Sequence, residues 1–146
     1  MKIEIRSEPF NPYAEVAEYQ ASLPEIAGKH GATALFVGTM RDFNEGSEVT
    51  GMALEHYPGM TERYLERISG DAARRWGLIE SLILHRVGPL HPDDPIVLVA
   101  VWSAHRKESF EACRWLMEEL KSKAPFWKRE NLGEGARWVE KNTAGY

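Results

Sequence analysis

The sequence predicts an α+β fold, and three observations carry that expectation. Apolar residues repeat at strand spacing in some segments and at helical spacing in others. The two kinds do not alternate strictly, as repeated βαβ units would require. Turns rich in Gly, Pro and Asp separate neighbouring strand candidates, GPLHPDDP (Gly88–Pro95) being the clearest. With 146 residues the chain is long enough to bury a core as one domain spanning residues 1–146.

Lys2–Arg6 alternates charged and apolar residues and reads as a short strand. Pro12–Leu23 reads as a helix, with Asn11 as N-cap and Pro12 at the first helical position. Ala32–Gly38 is a buried strand, Asp42–Glu48 a polar loop, and Thr50–Tyr57 a strand stopped by Pro58-Gly59. Met60–Trp76 carries Tyr64, Leu65, Ile68, Ala72 and Trp76 on one helical stripe. Leu78–Val87 and Pro95–Trp102 are strands. Lys107–Lys123 is a second strong helix, with Phe110, Cys113, Leu116, Met117 and Leu120 on one face, ended by Ala124-Pro125. Phe126–Glu130 and Ala136–Glu140 are short strands around a Gly-rich turn.

Composition narrows the function. The net charge is −4, which argues against general nucleic-acid binding but leaves room for a small basic pocket. Cys113 is the only cysteine, so no disulfide forms within the chain and no CxxC site exists. The N-terminus lacks the apolar core of a signal peptide, and the longest apolar runs are too short to span a bilayer. A cytoplasmic protein is expected, without a membrane partner. P-loop, GxGxxG, HExxH and GxSxG motifs are absent, so neither a nucleotide nor a metal or cofactor is expected.

Three basic constellations remain. Gly38-Thr39-Met40-Arg41 follows a buried strand, where an arginine fork suits phosphate or carboxylate; a solvated loop arginine is the plainer reading of spacing alone. Ser103-Ala104-His105-Arg106 precedes a helix whose N-terminus favours anions, although Ser103 serving as a cap beside two surface residues is as good an account. His85-Arg86 lies within a strand and reads as structural. Lys121–Glu130 (KSKAPFWKRE) interleaves basic residues with Phe126 and Trp127, which suits a flat anionic heterocycle or a single nucleic-acid strand. Lys121 falls at one edge of the buried stripe, where burial lowers an amine's pKa. Lys123 falls at the other edge, so helical phase does not choose between them, and a basic helix C-terminus needs no further role. Cys113, on the apolar stripe, reads as inert packing. Trp115, on the polar face, reads as an interface residue or as cover for a neighbouring segment. His91, Asp93 and Asp94 read as a turn.

Taken in order, FVGTMRDFNEG (Phe36–Gly46), LEHYPGMTE (Leu54–Glu62), HRVG (His85–Gly88), SAHR (Ser103–Arg106) and LKSKAPFWKRE (Leu120–Glu130) resemble the molybdopterin synthase large subunit family. The resemblance runs from about Ala32 to Val139. It implies an α/β hammerhead-type fold with an additional small antiparallel sheet. It implies a sulfurtransferase that takes sulfur from the C-terminal thiocarboxylate of a small ubiquitin-like subunit. The sulfur goes to cyclic pyranopterin monophosphate, giving the molybdopterin dithiolene. A homodimer of large subunits within a heterotetramer is implied as well.

By the same resemblance, Lys121 and Lys128 match catalytic lysines. Arg41, His105 and Arg106 match substrate contacts, with Thr39 and Met40 lining the same pocket and Arg129 and Glu130 beside Lys128. Phe36 and Met117 match pocket or tail contacts. The His-Arg pair is implied to reach the pocket across the dimer interface. Two other classes compete: a non-catalytic docking module for a ubiquitin-like tail, and a single-strand nucleic-acid binder built on KSKAPFWKR.

Overall fold

The computed structural model describes residues 1–44, 47–132 and 135–138, with side chains described for 1–42 and 50–128. Strands β1 (Lys2–Arg6), β2 (Ala32–Thr39), β5 (Glu80–Arg86) and β7 (Pro95–Ser103) form one sheet in the order β1-β5-β7-β2. β1 lies parallel to β5, and the other pairs are antiparallel. A second, antiparallel sheet holds β3 (Phe43–Asn44), β4 (Ser47–His56), β8 (Phe126–Leu132) and β9 (Gly135–Trp138), with β6 (Gly88–Leu90) paired to β4. Three helices pack against this frame: α1 (Pro12–Ala21), α2 (Met60–Trp76) and α3 (Arg106–Lys123). The expected α+β arrangement with an added antiparallel sheet is present.

The first sheet is covered on both faces, which explains why its central strand reads as one unbroken apolar run. Along β7, Val97, Val99 and Val101 join the cluster that includes Leu65 and Ile68 of α2 and Leu116 and Leu120 of α3. The alternate residues Leu98, Ala100 and Trp102 join Phe10 and Ile26, with Val16 and Tyr19 of α1 against them. β5 divides in the same way, Ile83 to the first cluster and Leu82 and Leu84 to the second. This alternation sends His85, two residues beyond Ile83, to the α2/α3 side.

Helix ends follow local chemistry. The Asn11 side chain accepts from the amides of Tyr13 and Ala14 at 3.0 and 3.3 Å. α1 stops at Ala21 rather than Leu23, because Pro24 disfavours helical geometry at the residue before it. α2 has the expected bounds and ends on Gly77, in the left-handed region at φ 60°. The next residues do not enter β5 until Glu80; Leu78 still bonds back to Ala73 O at 3.2 Å.

Two strands depart from expectation. The supposed loop Asp42–Glu48 contains β3 and the start of β4, where Phe43 pairs with Glu48 and Asn44 with Ser47. The segment Gly88–Leu90, expected as turn, is β6, with Pro89 opposite Ala53. Both are too short to show a period of their own and exist because β4 supplies a partner. Downstream, His91–Asp94 is the expected turn: the Asp94 amide donates to His91 O at 3.0 Å, and the Asp94 carboxylate accepts from the His91 amide at 2.8 Å. Of the strand expected at Ala136–Glu140, Val139 and Glu140 lie outside the described residues. Among the described residues no helix is long and apolar enough to cross a membrane.

Candidate active site

α3 lies beside β2 and runs in the same direction. Both begin at one contact, where the Gly31 amide donates to Ser103 O at 2.9 Å. Eight residues of strand rise about 26 Å, and the sixteen steps from His105 to Lys121 rise about 24 Å along a helix. The matched lengths bring Arg41, just past the end of β2, level with Lys121 in the last turn of α3.

β8 completes the same corner. It leaves α3 through Ala124-Pro125 and pairs with β4, setting Phe126 opposite His56 and Lys128 opposite Leu54. Residues opposite one another in an antiparallel pair share a face, and Leu54 is buried. Lys128 therefore points inward, toward Lys121. The start of β8 is fixed by the buried Thr61 of α2, whose hydroxyl accepts from the Tyr57 amide and donates to Pro125 O, both at 3.1 Å.

The electrostatics follow from this crowding. Burial holds the Lys121 ammonium below the usual lysine range; a hydrogen bond with Lys128 opposes the drop, and the positive charge of Arg41 adds to it. An ammonium group has donors and no acceptor, so a hydrogen bond between two lysine amines requires one of them to be the free base. Lys123, which helical phase left equally open, is exposed and pairs with Glu119 at 3.0 Å.

His85, read from the sequence as structural, is buried at this same corner. Its ring stacks on Phe126 with centroids 3.9 Å apart and planes 15° from parallel. Nδ1 lies 2.8 Å from Arg86 O. Burial pushes its pKa down to about 3; the bond to the Arg86 carbonyl opposes this, while the charges of Lys121, Lys128 and His56 add to it. No motif spacing marks His85 or Thr61, because each reaches the corner through partners distant in sequence.

The remaining predicted residues divide by location. Thr39 ends β2, while Met40 is buried in the core cluster and exchanges backbone hydrogen bonds with Asp93 and Asp94. Phe36 and Met117 line one groove between β2 and α3, together with Leu35, Phe110, Cys113 and Arg114. His105 and Arg106 are exposed at the opposite end of α3 from Lys121. Arg129 and Glu130 occupy β8 opposite Ala53 and Met52, and their side chains lie outside the described residues. Cys113 is buried, with burial pushing its thiol up to about 11, as the packing reading expects. Trp115 is half-buried against Trp76, centroids 5.6 Å apart, and so joins α3 to α2.

Residues 5–123 match the MoaE protein family. The chain belongs to that family. A molybdopterin synthase catalytic subunit from Ralstonia nicotianae is 53% identical over 138 residues, covering 94% of this chain and 76% of the relative. A molybdopterin biosynthesis MoaE protein from Burkholderia ambifaria superposes with a TM-score of 0.79 at 47% identity, covering 98% of this chain and 91% of that one. Molybdopterin synthase from Staphylococcus aureus superposes at 0.81 and 33% identity, covering 93% and 95%. As a MoaE family member the chain is a catalytic subunit of molybdenum cofactor biosynthesis, a sulfur-transferring enzyme.

Proposed function

We propose that the Lys121 corner receives the C-terminal thiocarboxylate of a small ubiquitin-like partner and passes its sulfur to cyclic pyranopterin monophosphate, building the molybdopterin dithiolene. The observation that carries this reading is the pairing of a partly dehydrated Lys121 with Lys128, beside Arg41. Both the incoming tail and the phosphate are anions, and a cationic corner sheltered from water attracts them more strongly than an exposed one. Sulfur has no source on the chain itself, since Cys113 is buried and its thiol stays protonated at neutral pH.

In this reading Lys121, as the amine with the depressed pKa, orients the thiocarboxylate or its acyl intermediate and moves a proton near neutral pH. Lys128 supplies the neighbouring positive charge or a second proton. Arg41, His105 and Arg106 hold the phosphate and stabilise charge as the ring opens. Thr39, Met40, Arg129 and Glu130 shape the pocket, and Phe36 and Met117 line the groove beside it. Two sulfurs are needed, so the partner is exchanged or recharged between transfers.

His105 and Arg106 lie about 24 Å from Lys121 along their own helix and reach a Lys121 corner only from a second copy. A two-fold dimer with antiparallel α3 helices satisfies this, with the axis midway between residues 105 and 121, at Cys113. The same axis carries Phe110 of one copy to the level of Leu116 and Met117 of the other. Phe110 is 68% exposed and Phe36 41% exposed, and both flank the groove that Met117 lines. Large apolar side chains gathered in one exposed patch favour such a contact. β2, the edge strand of its sheet, borders the same patch. With one small partner per protomer the assembly is a heterotetramer.

The deciding experiment reconstitutes the full chain with its thiocarboxylated partner and purified precursor. Lys121→Ala is expected to lower turnover about 100-fold or more while the fold and the partner complex persist. Turnover like that of the unaltered enzyme would remove Lys121 from the chemistry. Partner binding without turnover by the unaltered chain would favour a docking module.

A further inference from the structure

The pocket holds one group that the proposed chemistry does not use. His85 is 4% exposed and is the last residue but one of β5, close enough to Lys121 and Lys128 to feel their charges. A carbonyl oxygen only accepts, so the 2.8 Å contact with Arg86 O fixes the ring proton on Nδ1. The other nitrogen, Nε2, is left as an acceptor on the far side of the ring. The stack on Phe126 fixes the ring plane. Because Lys128 lies two residues beyond Phe126 on the same strand and face, the stack also sets where Lys128 stands.

We propose that His85 is a positioning residue for the Lys121–Lys128 pair: clamped between the Arg86 carbonyl and the Phe126 ring, it fixes β8 and offers Nε2 as an uncharged acceptor at the base of the pocket. The inference rests on reading Lys121 as the working amine. Among the described residues, the charged groups around Lys121 and His85 include Arg41 after β2, Lys128 on β8 and His56 on β4, with Glu62 of α2 3.9 Å from His56. Of these, Arg41 and Lys128, which act on Lys121 directly, are both cationic or basic. A neutral acceptor therefore supports the protonated amine without adding positive charge, and burial keeps the His85 ring neutral across the working pH range.

Side chains that separate the two contacts provide the test. His85→Phe keeps a ring over Phe126 and removes both nitrogens. His85→Asn keeps a donor near the Nδ1 position and lacks the distal acceptor. His85→Gln carries an amide oxygen close to the Nε2 position. The titration of Lys121 is followed by NMR in full-length protein carrying ¹³C-labelled lysine, its resonance assigned by its loss in Lys121→Ala. Loss of a hydrogen bond to a charged group lowers the Lys121 midpoint by about one pH unit. That shift is expected in His85→Phe and His85→Asn, with His85→Gln returning toward the starting value.

The pH profile of kcat, measured with the thiocarboxylated partner, is expected to move in the same direction with KM unchanged. An unshifted Lys121 midpoint in folded His85→Phe overturns the proposal. If His85→Phe does not fold, equal midpoints in the Asn and Gln variants overturn it. Retained turnover in Lys121→Ala would defeat the catalytic reading alone, since the titration reports on His85 whether or not Lys121 performs chemistry.

Discussion

Lys121 and Lys123 stand two positions apart in the same helical turn, with identical side chains, and they differ through what crosses above them. β8 folds back over Lys121 and brings Lys128 to it, whereas Lys123 reaches into solvent toward Glu119. Helical phase in the sequence found the two edges of the buried stripe but held no information on the path of β8, so the choice needed the fold. His85 was hidden for a related reason: a histidine inside an apolar strand usually packs, and only the stack on Phe126 reveals the lysines beyond. Cys113 was legible because its position on the stripe decided its burial. Cys113→Ala is expected to retain most turnover, and the native thiol is expected to react with an aromatic disulfide reagent only on unfolding; a folded but inactive alanine variant would give the sulfur a role that its burial denies.

Long elements announced themselves in the sequence, and short ones did not. α2 has the expected bounds because Pro58-Gly59 and Gly77 punctuate a clear apolar stripe. β3 and β6 were missed because two or three residues carry no periodicity and are defined by pairing with β4. Between β7 and α3, the decisive element is the crossing of Gly31 over the Ser103–His105 turn. A Cβ on Gly31 would sit 2.3 Å from Ala104 O, a backbone atom that cannot move independently. Gly31→Ala is therefore expected to destabilise the protein by about 1–3 kcal/mol, measured by chemical denaturation, and to displace the turn carrying His105 and Arg106. An unchanged denaturation midpoint would mean that the turn relaxes freely.

At the scale of the whole molecule, strand and helix patterns gave the α+β class, while the meeting of residues 41, 85, 121 and 128 had no local signature. Family resemblance supplied the candidates Arg41, Lys121 and Lys128, and the matched lengths of β2 and α3 supply the physical reason that Arg41 and Lys121 meet. If each pocket draws on two protomers, mixing inactive Lys121→Ala with inactive Arg106→Ala restores activity. A mixed dimer then has one pocket with both lesions and one with neither, so random exchange recovers about a quarter of the original sites. No recovery after verified subunit exchange would place each pocket within one protomer. Acid stability tests the buried ring across the same structure. His85 has a folded pKa of about 3 against an ordinary 6.5, so its contribution is fully present above pH 6.5 and is lost as pH falls toward 3. His85→Phe is expected to flatten the fall of unfolding free energy with pH in that window, and an unaltered slope would show that other groups set it.

α3 joins His105 at one end to Lys121 at the other through unbroken helix, and this makes it a ruler as well as a scaffold. Adding one residue between them would turn the far end by about 100° and lengthen the span by about 1.5 Å. Lys121 would swing off the corner and, in the proposed two-fold assembly, both pockets would lose their register together. Surface loops elsewhere can grow or shrink without such a penalty, so the spacing between SAHR and KSKAPFWK is the dimension of this enzyme that tolerates length variation least.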